Sequence, residues 1–329
     1  SSIEYSYQDH FTIEDEVIKA EPISTYQVKG GMMYNVNDDL NVFFNTGLVE
    51  KAPIMDNVIY FDGTVASDPA NEKFLHNEFG VNYRFGKLGI NASAYNTDWQ
   101  DRNLTKSVTT GQGDSGDTDV IFLTGVNQKH SGVELETNYM VNDMLDLMFV
   151  ASFGNWKFDG DANGNYQETE YNSEGQAIGY TTTEYAYALD GLYVGDMPQT
   201  SYVLGVTLKP IKDLRIQAIH KMYDKNYSDW SPSAREFDGT NDDADRAQVW
   251  EAPSYNRLDL HMSYKLPKVK DLDMMLTANI FNVLDEVYVQ DAVDNSQYNG
   301  YGSKQHLPHN AEVFLGTPRY ANIGLSIGF

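Results

Sequence analysis

Tyr320-Ala321-Asn322-Ile323-Gly324-Leu325-Ser326-Ile327-Gly328-Phe329 closes the sequence and decides its fold. Ala321, Ile323, Leu325, Ile327 and Phe329 fall on one side of this run, and Tyr320, Asn322, Gly324, Ser326 and Gly328 on the other. A period of two is that of a β-strand with one greasy and one small or polar face. Ten residues suffice for a tilted strand to cross ~25–30 Å of hydrocarbon. The last strand of a soluble sandwich alternates in the same way, so the rest of the chain must decide between the two.

Strand-like runs recur near 313–329, 272–290, 250–266, 213–229, 198–209, 144–158, 121–141, 88–103, 72–85, 40–50 and 23–34, with one more near 1–12. Their connections alternate in length. Short ones are Asn35–Asp39, Gly86-Lys87, Asn142-Asp143, Pro210–Lys212 and Pro267–Asp271; long ones cover about 13–22, 51–71, 104–120, 159–197, 230–249 and 291–312. Short turns at one end and long loops at the other is the asymmetry of an outer-membrane barrel, with periplasmic turns and extracellular loops. The expected fold is therefore all-β: a transmembrane antiparallel up-and-down β-barrel with about twelve strands in this chain.

The strand faces fit a barrel in lipid. Leu88, Ile90, Ala92 and Ala94 oppose Gly89, Asn91, Ser93 and Tyr95; Val133, Leu135, Thr137 and Tyr139 oppose Glu134, Glu136 and Asn138; Leu258, Leu260, Met262 and Tyr264 oppose Arg257, Asp259, His261 and Ser263. A Lys or Arg facing lipid at the midplane costs ~2–4 kcal/mol, and Asp or Glu somewhat less. Arg84, Glu134, Glu136, Arg257 and Asp259 are therefore expected to face a polar lumen. A lumen lined by both charge signs holds water or a polar plug, and is no apolar ligand cavity.

Composition narrows the classes further. Among 329 residues, 23 Tyr, 15 Phe and 4 Trp supply an aromatic load suited to interfacial girdles. No stretch approaches ~18 apolar residues, which excludes a transmembrane helix and leaves a barrel untouched. Cysteine is absent, so the chain has no disulfide or thiol chemistry. The formal net charge of −25 argues against nucleic acid, which needs clustered Lys and Arg. Much of that charge falls between Gly154 and Pro198, where eight carboxylates face a single Lys157. An acidic rim attracts cations, and it also simply hydrates a loop.

Several stretches resemble TonB-dependent outer-membrane receptors, in the second half of their barrel. Leu276–Tyr288 resembles the family's hydrophobic strand running into Asn-hydrophobic-Phe-Asn and then Tyr; Gly316-Thr317-Pro318-Arg319 resembles its lead-in to the last strand. Glu78–Phe85 and Ser131–Glu136 resemble its recurrent Glu-hydrophobic-Gly and Gly-hydrophobic-Glu strands. The resemblance covers roughly residues 72–329. It implies a 22-stranded barrel, a globular plug, and energy-coupled uptake of a scarce nutrient through the periplasmic protein TonB. No plug-like segment precedes the strands, so the chain is expected to be the C-terminal part of such a barrel; a self-contained twelve-stranded barrel is the alternative. Expected partners are outer-membrane lipid, TonB by way of the plug, a nutrient ligand and the barrel-assembly machinery, for which Phe329 would be the C-terminal signal. The ligand class stays open among metal chelates, a cobalamin, oligosaccharides and peptides. A passive or adhesive barrel is the competing function.

Three sets of residues invite a site. Asp159-Gly160-Asp161-Ala162-Asn163-Gly164-Asn165, closed by Glu170, matches a calcium-loop template whose oxygens suit hard Ca²⁺. Asp159, Asp161, Asn163, Asn165 and Glu170 are thus candidate ligands, and a flexible polar loop tip is the alternative. His306 and His309 offer two imidazoles, though Pro308 disfavours the helical spacing that would align them. Aromatics crowd the long loops, among them Tyr60, Phe61, Tyr166, Tyr185, Tyr187, Tyr193, Tyr227, Trp230, Trp250, Tyr298 and Tyr301. They suit stacking on a ligand or packing of the loops. No nucleophile elbow, phosphate loop, zinc-protease motif or dinucleotide fingerprint is present, so no enzyme is expected and no cofactor is required beyond the possible Ca²⁺.

Overall fold

The computed structural model describes residues 2–4, 6–8, 17–60, 63–67, 69–110, 117–237, 244–268, 271–295 and 305–328. One fourteen-stranded sheet dominates it. Its strands are β1 (Gln27–Asn35), β2 (Leu40–Lys51), β3 (Glu72–Phe85), β4 (Leu88–Thr110), β5 (Asp117–Asn142), β6 (Leu145–Phe158), β7 (Ala162–Tyr171), β8 (Ala177–Tyr187), β9 (Thr200–Ile211), β10 (Leu214–Asp224), β11 (Glu236–Phe237), β12 (Tyr255–Lys265), β13 (Asp273–Phe281) and β14 (Tyr320–Gly328).

Eleven of these make an uninterrupted antiparallel meander, in the order β1-β2-β3-β4-β5-β6-β9-β10-β12-β13-β14. Its two edges, β1 and β14, do not pair with each other, so the described wall is an open part of a barrel. The hairpin β7–β8 branches off and pairs with β5 and β11. Among the described residues no helix is long and apolar enough to cross a membrane.

Alternation sets the two faces of the wall. Exposed Val28, Met32, Phe44, Phe79, Val133, Phe149, Phe153, Leu204, Ile216, Ile323 and Leu325 all share one face by ladder register. Ile323 keeps 79% of its surface accessible and Val28 64%. So continuous an apolar surface has no place in water and matches a lipid-facing band.

Short turns close one end. The side chain of Asn37 accepts the backbone N–H groups of Asp39 and Leu40 at 2.9 Å, which fixes the first turn. The opposite end overshoots any bilayer. β4 and β5 have 23 and 26 residues, and at ~3.3 Å per residue 26 residues would run ~85 Å if straight. A break separates the extension from the wall: the ladder shifts between Trp99 and Leu104, where Asp101 takes φ +54°. Beyond it sits the core of the molecule, with Ile121, Leu123, Phe158, Tyr187, Leu189, Leu192, Tyr227 and Trp230 buried together.

Several sequence expectations are corrected; the expected loop 104–120 is mostly strand, with β4 running to Thr110 and β5 starting at Asp117. The expected loop 159–197 holds the hairpin β7–β8, because Tyr- and Thr-rich runs such as Tyr180–Tyr187 favour extended backbone. The expected strand 272–290 stops at Phe281, because Asn282 turns the chain at φ +49° and clamps it through hydrogen bonds to the carbonyls of Glu286 and Thr317. The run 313–329 divides into Glu312–Leu315 and β14 around Pro318, which offers no ladder donor. Near 1–12 the described residues hold only the two short strands Ser2–Ile3 and Ser6–Gln8, so the meander has eleven strands. Phe329 lies outside the described residues.

Candidate functional site

The ladder places the five charged residues of the wall on one face. Arg84 opposes Gly89, which opposes Asn138, and the row runs on through Met148, Gly205 and Ile219 to Asp259. The adjacent row runs from Glu136 through Val150, Val203 and Lys221 to Arg257. Glu134 lies two residues from Glu136 on β5 and so shares that face. It is the face opposite the apolar band.

These residues are not equivalent. The Asp259 carboxylate is 1% exposed, accepts from Lys221 Nζ at 3.0 Å and from the Asn282 backbone N–H at 2.9 Å, and has Arg257 Nη2 at 3.8 Å. It is a buried, compensated charge that ties β12 to the turn after β13. Arg84 and Glu136 instead line an open recess of about 430 Å³ with Asp38 and Asp39.

The calcium template is drawn out rather than coiled. Most of it is β7, an extended strand paired on both sides. Nine steps separate Asp161 from Glu170, ~30 Å at ~3.3 Å per residue. Four of the five candidates have their own partners: Asp159 pairs with Lys129 at 2.7 Å, Asp161 takes both Arg246 terminal nitrogens at 2.9 and 2.8 Å, Asn165 donates to the Tyr60 hydroxyl at 3.0 Å, and Glu170 accepts from Thr181. Asn163 is exposed within the strand. The Arg246 guanidinium holds the Asp161 carboxyl below its usual range, helped by the backbone N–H groups of Asp190 and Leu189 against partial burial. In place of a cation loop the structure has a two-sided strand, and no metal-binding cluster of His, Asp and Glu forms among the described residues.

The two histidines also separate. His309 is exposed, while His306 enters a buried charge cluster that spacing did not announce. Arg235 is fully buried, donates to the carbonyls of Asp245 and Ala247 at 2.9 and 2.7 Å, and lies 3.4 Å from Asp294. His306 bonds Asp294 through Nδ1 and Asp245 through Nε2, the latter at 2.9 Å. Burial alone would pull the imidazole down; the bond to Asp294 and the charge of that carboxylate, with Asp245, outweigh it and set His306 above its ordinary range, against Arg235. Two cations and two carboxylates then balance, and they tie the segments around 235, 245, 294 and 306 into one unit.

A second charged knot lies beside it. Lys106 pairs with Asp229 and stands 5.2 Å from the Trp230 ring. Burial pushes the nearby Asp196 carboxyl up to about 6, reinforced by Asp229 and Asp291 and opposed by Lys106. Most loop aromatics that fall on described residues pack rather than project. Tyr187 and Phe158 meet Trp230, and Tyr193 stacks on Tyr227 at 4.1 Å. Phe61, Tyr298 and Tyr301 lie outside the described residues.

An open antiparallel wall, greasy on one face and charged on the other, with short turns below and a packed loop assembly above, is part of an outer-membrane β-barrel. The description "TonB dependent receptor-like, beta-barrel" matches residues 5–283, and the chain belongs to that family. No curated protein sequence matches the chain. Three similar solved structures are the ferric-catecholate import receptor Fiu from E. coli K12 (14% identity, TM-score 0.54), the copper transporter OprC (14%, 0.58) and the siderophore receptor PiuA from Acinetobacter baumannii (18%, 0.56). They cover 99, 93 and 96% of this chain, which spans only 40, 39 and 37% of theirs. At these identities the likeness is one of fold.

Proposed function

We propose that this chain is part of the barrel wall of an outer-membrane receptor that takes up a scarce nutrient, with energy delivered through TonB. The observation that carries the reading is the segregation of the wall: the eleven large exposed apolar side chains named above share one face, and Arg84, Glu134, Glu136, Arg257 and Asp259 lie together on the other, where the exposed Met33, Met140 and Met275 are exceptions. The apolar face contacts lipid, the charged face lines the lumen, and the loop assembly with its ion cluster forms the extracellular mouth. The solved relatives named for ferric-catecholate import, copper transport and siderophore reception support uptake as the class of activity.

The test uses cells with and without the intact receptor. They are offered radiolabelled ferric catecholate, copper(II), cobalamin, an oligosaccharide and a polyamine in turn, with and without a protonophore. The reading predicts accumulation of at least one label that requires the receptor and stops when the proton gradient collapses. Receptor-dependent accumulation that the protonophore leaves unchanged would identify a passive channel instead.

A further inference from the structure

Just below the break in β4 and β5, the polar face of the wall carries an aromatic platform. Tyr95 on β4 reaches across to β5, where a Cβ on Gly132 would sit 2.6 Å from its hydroxyl oxygen. Trp156 on β6 lies back over Gly154, whose Cβ would sit 2.8 Å from the indole. Two bare glycines thus let two rings settle against the wall, as a side chain at either position would not. The Trp156 indole N–H donates to the Tyr95 hydroxyl at 2.9 Å and locks the rings together. Gln199 grips the backbone of Trp156 from β6's other side, accepting its N–H and donating to its carbonyl at 2.9 Å each. His130 stacks on Trp156 at 5.6 Å and 18°, and His76 on Tyr95 at 6.5 Å and 27°. The platform is built and rigid.

Two carboxylates border it. Glu78, beside Tyr95 in the ladder, accepts only from the Asn45 amide, at 3.1 Å, and Glu134 has neither a hydrogen bond nor an ion pair among the described residues. Two cations lie near it: Arg102 stacks on Trp99 at 4.2 Å and donates to Gln128, and Lys29 lines the adjoining recess with His76 and Glu78 but forms no ion pair with Glu78 among the described residues. The rings and the two carboxylates line a recess of about 300 Å³, the lower end of the range for small-molecule sites.

We infer that this recess binds an organic cation: an ammonium, quaternary ammonium or guanidinium group carried by the ligand. Ring faces and carboxylates both favour positive charge, and the low-dielectric wall strengthens each. A neutral polyol could stack on the rings but would leave two carboxylates without counter-charge. An anionic chelate would meet both carboxylates directly. The volume admits a head group rather than a whole large ligand. The inference rests on the uptake reading and names the ligand chemistry at the lumen wall.

The test is made on the intact receptor in detergent, titrated with choline and spermidine, with glucose and citrate as neutral and anionic comparisons, by calorimetry and tryptophan fluorescence. Choline or spermidine should bind saturably and more tightly than glucose or citrate. Glu78→Gln and Glu134→Gln should each weaken it about two- to fivefold, as loss of one half-buried or exposed charge contact does. Trp156→Phe should weaken it too, while Glu174→Gln, at the exposed tip of β7–β8, should not. Equal or tighter binding of citrate or glucose, or cation binding untouched by all three site variants, overturns the inference. Cation binding without proton-gradient-dependent uptake would leave this site standing and sink the uptake reading; energy-dependent uptake without cation binding would do the reverse.

Discussion

Replacing Arg235 with Ala should loosen the loop assembly without unfolding the wall. The guanidinium is fully buried, and the Asp294 carboxylate it faces is 1% exposed. Removing one member of a buried pair leaves the other charge uncompensated, at about 3–5 kcal/mol. His306 remains on Asp294 and Asp245, which places the expected loss near the lower bound, about 3 kcal/mol. At about 1.4 kcal/mol per tenfold, local opening should rise roughly 100-fold. Hydrogen exchange on the intact receptor reads this directly. The Ala188 N–H, which donates to the Arg235 carbonyl, and the ladder joining Val289–Val293 to Glu312–Leu315 should lose about two decades of protection. Amides of β3 and β4 near Gly80 and Ser93 should keep theirs. Adding Asp294→Asn to Arg235→Ala should restore much of the loss, because the stranded charge is then gone. A loss under threefold in the single variant, or no recovery in the double one, would refute the account of the cluster.

The same loops should respond to pH. His306 is raised in the folded state, so its stabilising contribution is full below the ordinary His value near 6.5 and is lost as pH rises through the higher folded value. Asp196, pushed from 3.8 up to about 6, acts in the same sense at lower pH, so limited proteolysis of the loop assembly should speed up as pH rises from about 4 to 6 and again above about 6.5. On the wall, Leu135→Arg should cost ~2–4 kcal/mol in urea titrations of the receptor in lipid vesicles, while Glu136→Arg one residue on should cost far less. Gly132→Ala forces a Cβ to 2.6 Å from the Tyr95 hydroxyl and 2.7 Å from the Phe153 carbonyl; it should cost about 1–3 kcal/mol and shift Trp156 emission. Asp161→Ala breaks a half-exposed pair with Arg246 and two backbone hydrogen bonds from Leu189 and Asp190, and should cost about 1–2 kcal/mol.

Strand alternation is local, so the wall was legible in the sequence. Glu72–Phe85 runs as its residues foretell, and the face assignment of Glu134, Glu136, Arg257 and Asp259 follows from parity alone. The loop end was not legible, because its contacts are long-range. Arg235 meets His306 across 71 positions and Lys106 meets Asp229 across 123, and nothing in spacing announces either. The calcium template misled for a related reason: composition matched a loop, while pairing with Val120–Thr124 on β5 drew the same residues into a strand. The aromatic platform left a faint trace, glycines at 132 and 154 inside otherwise regular strands, where a gap in the side-chain rows invites a neighbouring ring.

The central claim is a membrane wall with a polar lumen, and single-cysteine scanning tests it most directly. The chain contains no cysteine, so each introduced thiol on β5 from Gly132 to Met140 stands alone in it. In the intact receptor in bilayers, positions 134, 136 and 138 should react with a charged maleimide, while a probe at 133, 135 and 137 should be quenched by spin-labelled lipid. Labelling that does not alternate, or lipid quenching at Glu134 and Glu136, would contradict the account.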